Sequence, residues 1–219
     1  MSENPRFASN QPLVYSITGG EATVENFSRK SRDILKLVES AVEAKIDLIQ
    51  IREKKLPARL VFELAAEAAG ATRDSATKLL VNDRADIAQA AGADGVHLTS
   101  VSLSAEIVRR NFGADFIVGV SAHSVAEAES AREEGADFIT FSPIYNTPSK
   151  IRYGMPPQGL EKLKTVCEKL KPFPVVALGG IDETNFADVL TAGAAGFAAI
   201  RFLNDAENLR KLNALLGKG

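Results

Sequence analysis

The sequence predicts a closed (β/α)8 barrel, the TIM-barrel architecture, as a single domain. Three observations carry that prediction. Eight short apolar strands alternate with helices whose apolar residues recur at helical spacing, the pattern of a parallel sheet covered by helices. Three joints repeat: Ala91-Gly92-Ala93-Asp94, Glu134-Gly135-Ala136-Asp137 and Ala192-Gly193-Ala194-Ala195 each end a helix on Gly and turn at once into a buried strand. No Gly-x-Gly-x-x-Gly segment opens the chain, which argues against the runner-up, an open doubly wound sheet.

Residues 1–11 are polar, carry no signal-peptide pattern and read as a flexible N-terminal tail; the barrel takes 12–219. Leu13 to Thr18 is an apolar strand closed by Gly19-Gly20. A helix at 30–44 puts Ile34, Leu37, Val38, Ala41 and Val42 on one face, and a strand at 47–52 follows. Leu60, Leu64 and Ala68 share a stripe on a helix at 58–71. The pattern then predicts strand 78–81, helix 87–91, strand 95–98, helix 102–110, strand 116–120, helix 124–133 and strand 138–141. A polar loop of about seventeen residues runs to Gln158, longer than most connections and for that reason a candidate functional loop. Helix 160–170, strand 174–178, helix 184–191, strand 196–200 and helix 206–216 complete the chain.

With 45% hydrophobic and 25% charged residues, the composition is that of an ordinary globular protein. A net charge of −2 gives no general basic field for nucleic acid or anionic membrane, so any anion site must be local. No apolar run approaches the ~20 residues of a membrane span. The one cysteine, Cys167, lies on a helical apolar stripe with Leu163, Val166 and Leu170; a lone Cys forms no internal disulfide and suits a cytoplasmic location.

Barrel enzymes place their sites at the C-terminal strand ends. Here those ends concentrate polar and cationic residues. Gln50, Arg52 and Lys54 share one face at the end of the second strand. A fork and a point charge together suit phosphate, and a salt-bridged strand end with Glu53 as partner is the ordinary alternative. Asn82-Asp83 offers a hard oxygen ligand for Mg2+ or, more ordinarily, a cap for the next helix. Gly179-Gly180 looks like a phosphate loop ahead of a helix, with a tight turn capped by Asp182 as the plain alternative. Thr147, Ser149 and Lys150 add hydroxyls and an ammonium to the long loop. Of the two histidines, His97 reads as structural, and His123 is the better chemical candidate because it follows a strand end.

At these residues the chain resembles the thiamine phosphate synthase and thiazole tautomerase superfamily, and the synthases most closely. The resemblance runs from Tyr15-Ser16-Ile17-Thr18 to Ile200. It rests on six pieces in order: Gln50 to Lys54, Val81 to Arg84, Gly92 to Leu98, Gly119 to Ser124, Ser142 to Tyr145 with Thr147 to Lys150, and Gly179-Gly180-Ile181. It implies a small (β/α)8 barrel that joins a pyrimidine methyl diphosphate to a thiazole phosphate and releases pyrophosphate, through a pyrimidine-stabilised cation. Gln50, Arg52, Lys54, Asn82, Ser121 and Lys150 would then hold the pyrimidine diphosphate, and Asp83 would ligate Mg2+. Thr147 to Ser149, Gly179, Gly180 and Ile200 would hold the thiazole phosphate, and Arg201 would either strengthen a phosphate site or crowd the thiazole. Arg52, Lys54, Lys150 and His123 are the expected catalytic groups. Two positions depart from the synthase pattern: Ser102 stands where a second metal-binding carboxylate is expected, and Arg201 where a small residue is common. The tautomerase branch, with His123 as acid/base, is the alternative, and a non-catalytic phosphate-ligand sensor the third. The expected partners are the two phosphorylated small molecules, with no nucleic acid and no membrane; assembly as a homo-oligomer is left open.

Overall fold

The computed structural model describes residue 7, residues 11–147 and residues 156–216. Among them lie eight strands and eight helices in strict alternation: β1 (Leu13–Ile17), α1 (Phe27–Glu43), β2 (Leu48–Ile51), α2 (Ala58–Thr72), β3 (Lys78–Asn82), α3 (Ala85–Ala91), β4 (Gly95–Leu98), α4 (Ala105–Phe112), β5 (Ile117–Ala122), α5 (Val125–Glu133), β6 (Phe138–Phe141), α6 (Gly159–Leu170), β7 (Val175–Leu178), α7 (Phe186–Thr191), β8 (Gly196–Ala199) and α8 (Ala206–Leu215). The strands close into a barrel in the order β1 to β8, with parallel ladders such as Ser16 to Ile49, Val81 to Val96 and Thr140 to Val176. The expected (β/α)8 barrel is therefore the observed fold. No helix among the described residues is long and apolar enough to cross a membrane.

Several boundaries differ from the sequence reading by up to three residues, and two of them lie at serine caps. Helix α4 starts at Ala105 rather than Ser102, because Ser104 is its cap and accepts the Ile107 N–H. Likewise Ser124 caps α5 and accepts the Glu127 N–H, so β5 runs on to Ala122.

The chain divides into two compact units. One, the β1–β4 half, comprises Tyr15–His97, Ala114–Ile117 and Ile200–Gly219; the other, the β5–β8 half, comprises Met1–Val14, Leu98–Gly113 and Val118–Ala199. Each half contains two joints of one design. A helix ends with a left-handed residue, and the next N–H reaches back to the carbonyl five residues earlier. In the β1–β4 half, Gly92 (φ 74) lets Ala93 N–H bond Ala88 O at 2.9 Å, and in the β5–β8 half Gly135 (φ 89) and Gly193 (φ 98) do the same for Ala136 and Ala194. This is the Schellman closure, in which the left-handed residue satisfies carbonyls that the helix end leaves open. The fourth joint escapes a search for Gly because Lys45 (φ 50) takes the left-handed place before β2, with Ile46 N–H bonding Ala41 O at 2.9 Å.

The aspartates of the repeat have a structural job. Asp94 N–H donates to Leu79 O at 2.9 Å, and its carboxylate accepts the Leu79 N–H at 2.8 Å. Asp137 makes the same two-point clamp on Val118, both bonds at 2.8 Å, and also pairs with Arg109 at 2.6 Å. Ala195 keeps only the backbone half, to Val175 O. The glycines that follow are required sterically: a Cβ on Gly95 or Gly196 would lie 2.1 Å from the carbonyl oxygen of Ile117 or Leu13.

Strand residues are buried on both faces, and β1, β2, β4, β6 and β8 are buried throughout. Cys167 is buried on α6 as expected, and burial pushes its thiol up to about 12. In the N-terminal segment, Phe7 packs edge-on to Phe138 with ring centroids 5.5 Å apart.

Candidate active site

In the β1–β4 half, three polar side chains sit where a barrel interior would ordinarily be apolar. Tyr15, Gln50 and His97 are 0%, 1% and 3% exposed. Buried polar groups persist only when bonded, and these bond one another. The Tyr15 hydroxyl lies 3.1 Å from Gln50 Oε1 and 3.2 Å from His97 Nδ1, and Gln50 Nε2 donates to Asn82 Oδ1 at 3.3 Å. Burial, with a smaller push from Arg52, lowers the His97 pKa to about 3, so the ring is neutral. The structural reading of His97 holds, and the residue turns out to anchor a chain that ends at Asn82.

Arg52 and Lys54 follow at the end of β2. The Glu53 carboxylate between them is 4% exposed and is already committed: it accepts from Thr18 Oγ1 at 2.6 Å, Gly20 N–H at 3.0 Å and Ala22 N–H at 2.8 Å. Thr18 Oγ1 in turn accepts the Arg52 N–H at 2.8 Å. Glu53 thus fastens the β1–α1 loop to the β2 end and does not form the salt bridge that sequence alone left open. Among the described residues neither Arg52 nor Lys54 has an ion-pair partner. Burial lowers the pKa of both; for Lys54 the neighbouring Arg52 charge adds to this, against the pull of Asp83. Two neighbouring cations, both lowered by burial and one of them also by the other, are poised for an anion.

Asp83 does not cap α3, whose cap position is Arg84 without a side-chain bond. Its backbone is left-handed (φ 66) and its N–H donates to His97 O at 2.9 Å. Asp tolerates this region better than most residues, yet such geometry is held at a cost and collects at functional sites. The exposed carboxylate has no hydrogen bond among the described residues. Mg2+ keeps several waters and takes one or two carboxylates together with substrate phosphates. Asp83 fits that demand as one carboxylate. Among the described residues no three His, Cys, Asp or Glu side chains form a metal cluster. Ile200, half-buried, and Arg201, exposed, follow β8 in a turn closed by Asn204 N–H to Ile200 O.

The β5–β8 half holds the remaining candidates. Ser102 Oγ accepts the Thr99 N–H at 2.8 Å and lies 3.1 Å from Thr99 Oγ1, so its hydroxyl closes a turn. Ser121 is half-buried near the end of β5. His123 Nδ1 lies 2.7 Å from Ser142 O; a carbonyl only accepts, so Nδ1 carries the proton and Nε2 is the basic nitrogen of the neutral ring. Gly179 (φ 108) and Gly180 (φ 69) are glycine for two reasons, backbone sign and space. A Cβ would meet Pro143 Cα at 2.9 Å and Tyr145 Cβ at 2.8 Å. The helix beyond them, α7, is short, and begins only after a turn in which Asp182 accepts from Thr184 N–H and Asn185 accepts from Asp182 N–H. The glycine peptides, more than a helix end, are what this loop offers an anion. Thr147 is half-buried; Ser149 and Lys150 lie outside the described residues.

Sequence reasoning missed Tyr15 and gave Glu53 the wrong partner. Tyr15 was hidden as one more strand residue, though a hydroxyl inside an apolar strand needs a partner. Glu53 had a signal in its place on the β2 face opposite Arg52.

Comparison with known proteins follows the same lines. Residues 14–203 match the family described as thiamine monophosphate synthase. A relative from Geobacter sulfurreducens is 45% identical over 189 residues, covering 84% of this chain and 88% of its own length. A thiamine-phosphate synthase from Roseiflexus sp. (strain RS-1) is 39% identical, covering 89% and 79%. The solved thiamine phosphate pyrophosphorylase from Pyrococcus furiosus superposes with a TM-score of 0.77 at 30% identity, covering 94% of this chain and 98% of that one. The chain belongs to the thiamine monophosphate synthase family.

Proposed function

We propose that the chain joins 4-amino-2-methyl-5-hydroxymethylpyrimidine diphosphate to 4-methyl-5-(2-hydroxyethyl)thiazole phosphate, or its carboxylate, giving thiamine phosphate and pyrophosphate. That makes it a transferase of thiamine biosynthesis. The observation that carries the reading is the pair Arg52 and Lys54, two part-buried cations whose intervening carboxylate, Glu53, is spent on a loop.

The reaction breaks the bond between the pyrimidine methylene carbon and the diphosphate oxygen, and forms one between that carbon and the thiazole nitrogen. Negative charge grows on the leaving diphosphate, and fixed positive charge there lowers the barrier. Arg52 and Lys54 take that role. Gln50 and Asn82 orient the pyrimidine. Asp83 would hold Mg2+, which when bound neutralises charge on the diphosphate. The Ser102 hydroxyl already bonds Thr99, so Asp83 is the protein group that would hold the metal in this reading. Gly179, Gly180, Thr147 and Ile200 keep the thiazole-phosphate role, and Ser121 the diphosphate role, that the family resemblance gives them. Ser149 and Lys150 keep the roles that the family resemblance gives them.

His123 supports a second reading. With Nδ1 pinned to Ser142 O, Nε2 is oriented to take and return a proton, as a thiazole tautomerase needs. One assay separates the two. Purified protein is incubated with both phosphorylated substrates and Mg2+, with a metal-free control, and thiamine phosphate is sought by chromatography. Metal-dependent product is the expected result. No product, with isomerisation of the thiazole carboxylate phosphate instead, would replace the synthase reading.

A further inference from the structure

The Tyr15 hydroxyl carries one hydrogen and stands between two neighbours, Gln50 Oε1 at 3.1 Å and His97 Nδ1 at 3.2 Å. It can give that hydrogen to only one of them. The Gln50 oxygen only accepts, so Tyr15 must donate there. The contact with His97 must then run from Nδ1–H to the Tyr15 oxygen. Gln50 Nε2 donates onward to Asn82 Oδ1 at 3.3 Å. All three bonds run in one sense, from His97 through Tyr15 and Gln50 to Asn82. Tyr15, Gln50 and His97 are at most 3% exposed, so the chain is shielded from solvent, and a broken bond there leaves a buried group unpaired. Since Asn82 turns its oxygen to Gln50, the other end of its amide is Nδ2, a donor.

We propose that Tyr15 and His97 are positioning residues: the Nδ1–H form of His97 sets the direction of the chain, so that Asn82 meets the pyrimidine diphosphate as a donor and selects an acceptor atom, a ring nitrogen or a phosphate oxygen. In the opposite form, Nε2–H, Tyr15 would donate to His97, both amides would turn over, and Asn82 would offer an oxygen and demand a donor. The ligand's identity rests on the synthase reading; the direction of the chain belongs to the protein alone.

Two measurements test this. The first is 15N NMR of histidine-labelled protein. The chain has two histidines, and His123→Gln assigns the remaining signal to His97. A ring protonated at Nδ1 is expected, moving toward the Nε2–H form in Tyr15→Phe. A wild-type His97 in the Nε2–H form overturns the proposal. The second is steady-state kinetics. Tyr15→Phe should raise KM for the pyrimidine diphosphate about tenfold, the worth of one buried hydrogen bond. KM for the thiazole phosphate should stay as in wild type, and kcat within about twofold. Equal KM values in wild type and variant overturn the proposal. Should Tyr15→Phe fold poorly, His97→Asn, which keeps a donor for Tyr15, is compared with His97→Leu, which does not. The first should stay near wild type and the second should show the KM rise; identical behaviour contradicts the account. Wild-type protein that neither turns over nor binds the pyrimidine diphosphate removes the synthase reading, while the NMR result still decides the direction of the chain.

Discussion

In the β1–β4 half the strand ends present side-chain charge. Arg52 and Lys54 lack ion-pair partners among the described residues, Asp83 holds a left-handed backbone, and a hydrogen-bonded chain from His97 to Asn82 is buried as far as Gln50. Among the described residues of the β5–β8 half the corresponding ends present the Gly179-Gly180 peptides, the hydroxyl of Ser121 and an imidazole bonded to Ser142. The helix-to-strand joints are nonetheless the same in both, two Schellman closures in each. Folding machinery is repeated and chemistry is not. Fixed side-chain charge suits a group on which negative charge develops, and backbone N–H groups suit an anion whose charge does not change.

The comparison breaks most readily at Arg52. Arg52→Ala should lower kcat/KM about a thousandfold, since the charge acts on the leaving group. The melting temperature should barely move, because the guanidinium takes part in no ion pair among the described residues. A calorimetric scan beside the assay checks both. The joints should give the reverse pattern. Asp137→Ala removes the carboxylate half of the Val118 clamp and the ion pair with Arg109, at a site where the carboxylate side chain is 10% exposed; a loss of about 3 kcal/mol is expected in denaturant titration, with activity per folded molecule unchanged. Gly180→Ala should combine the two effects. It places a Cβ 2.8 Å from Tyr145 Cβ at a left-handed position, so a loss of about 2 kcal/mol should accompany a raised KM for the thiazole phosphate alone.

His97 gives a pH signature to the β1–β4 half. Its folded pKa, about 3, lies below the ordinary 6.5, so below 6.5 the unfolded chain binds a proton that the folded chain refuses. Stability is then full above about pH 6.5 and falls as pH drops toward 3, by up to about 1.4 kcal/mol per unit. His97→Asn should flatten that slope in chemical denaturation from pH 7 to 4. The smallest effect is at Lys45. Lys45→Gly relieves a left-handed lysine and should stabilise the chain by about 1 kcal/mol, bringing this joint into line with the other three.

The barrel was legible because burial of a parallel strand depends on its own residues: runs such as Leu48-Ile49-Gln50-Ile51 and Phe138-Ile139-Thr140-Phe141 read as buried without knowledge of their neighbours. The fourth joint was not legible, since a left-handed cap prefers Gly without requiring it and Lys45 carries no mark. At the site, Arg52, Lys54 and Asp83 stood out as polar groups at strand ends. Tyr15 and His97 did not, because their meaning lies in partners 35 and 82 residues apart. The Ser102 hydroxyl looked available as a ligand until its bond to Thr99, three residues away, was seen. Glu53 looked like a partner for Arg52, and only the fold brings Gly20 and Ala22 to its carboxylate.

The central claim is that the β2 end is a diphosphate site. Calorimetric titration with inorganic pyrophosphate at fixed Mg2+, on wild type and on the Arg52→Ala, Lys54→Ala double variant, tests it without turnover. Saturable binding by wild type that the double variant loses by at least about tenfold, with both proteins melting alike, is the predicted result. Equal affinities in the two proteins, or no binding to either, would contradict it.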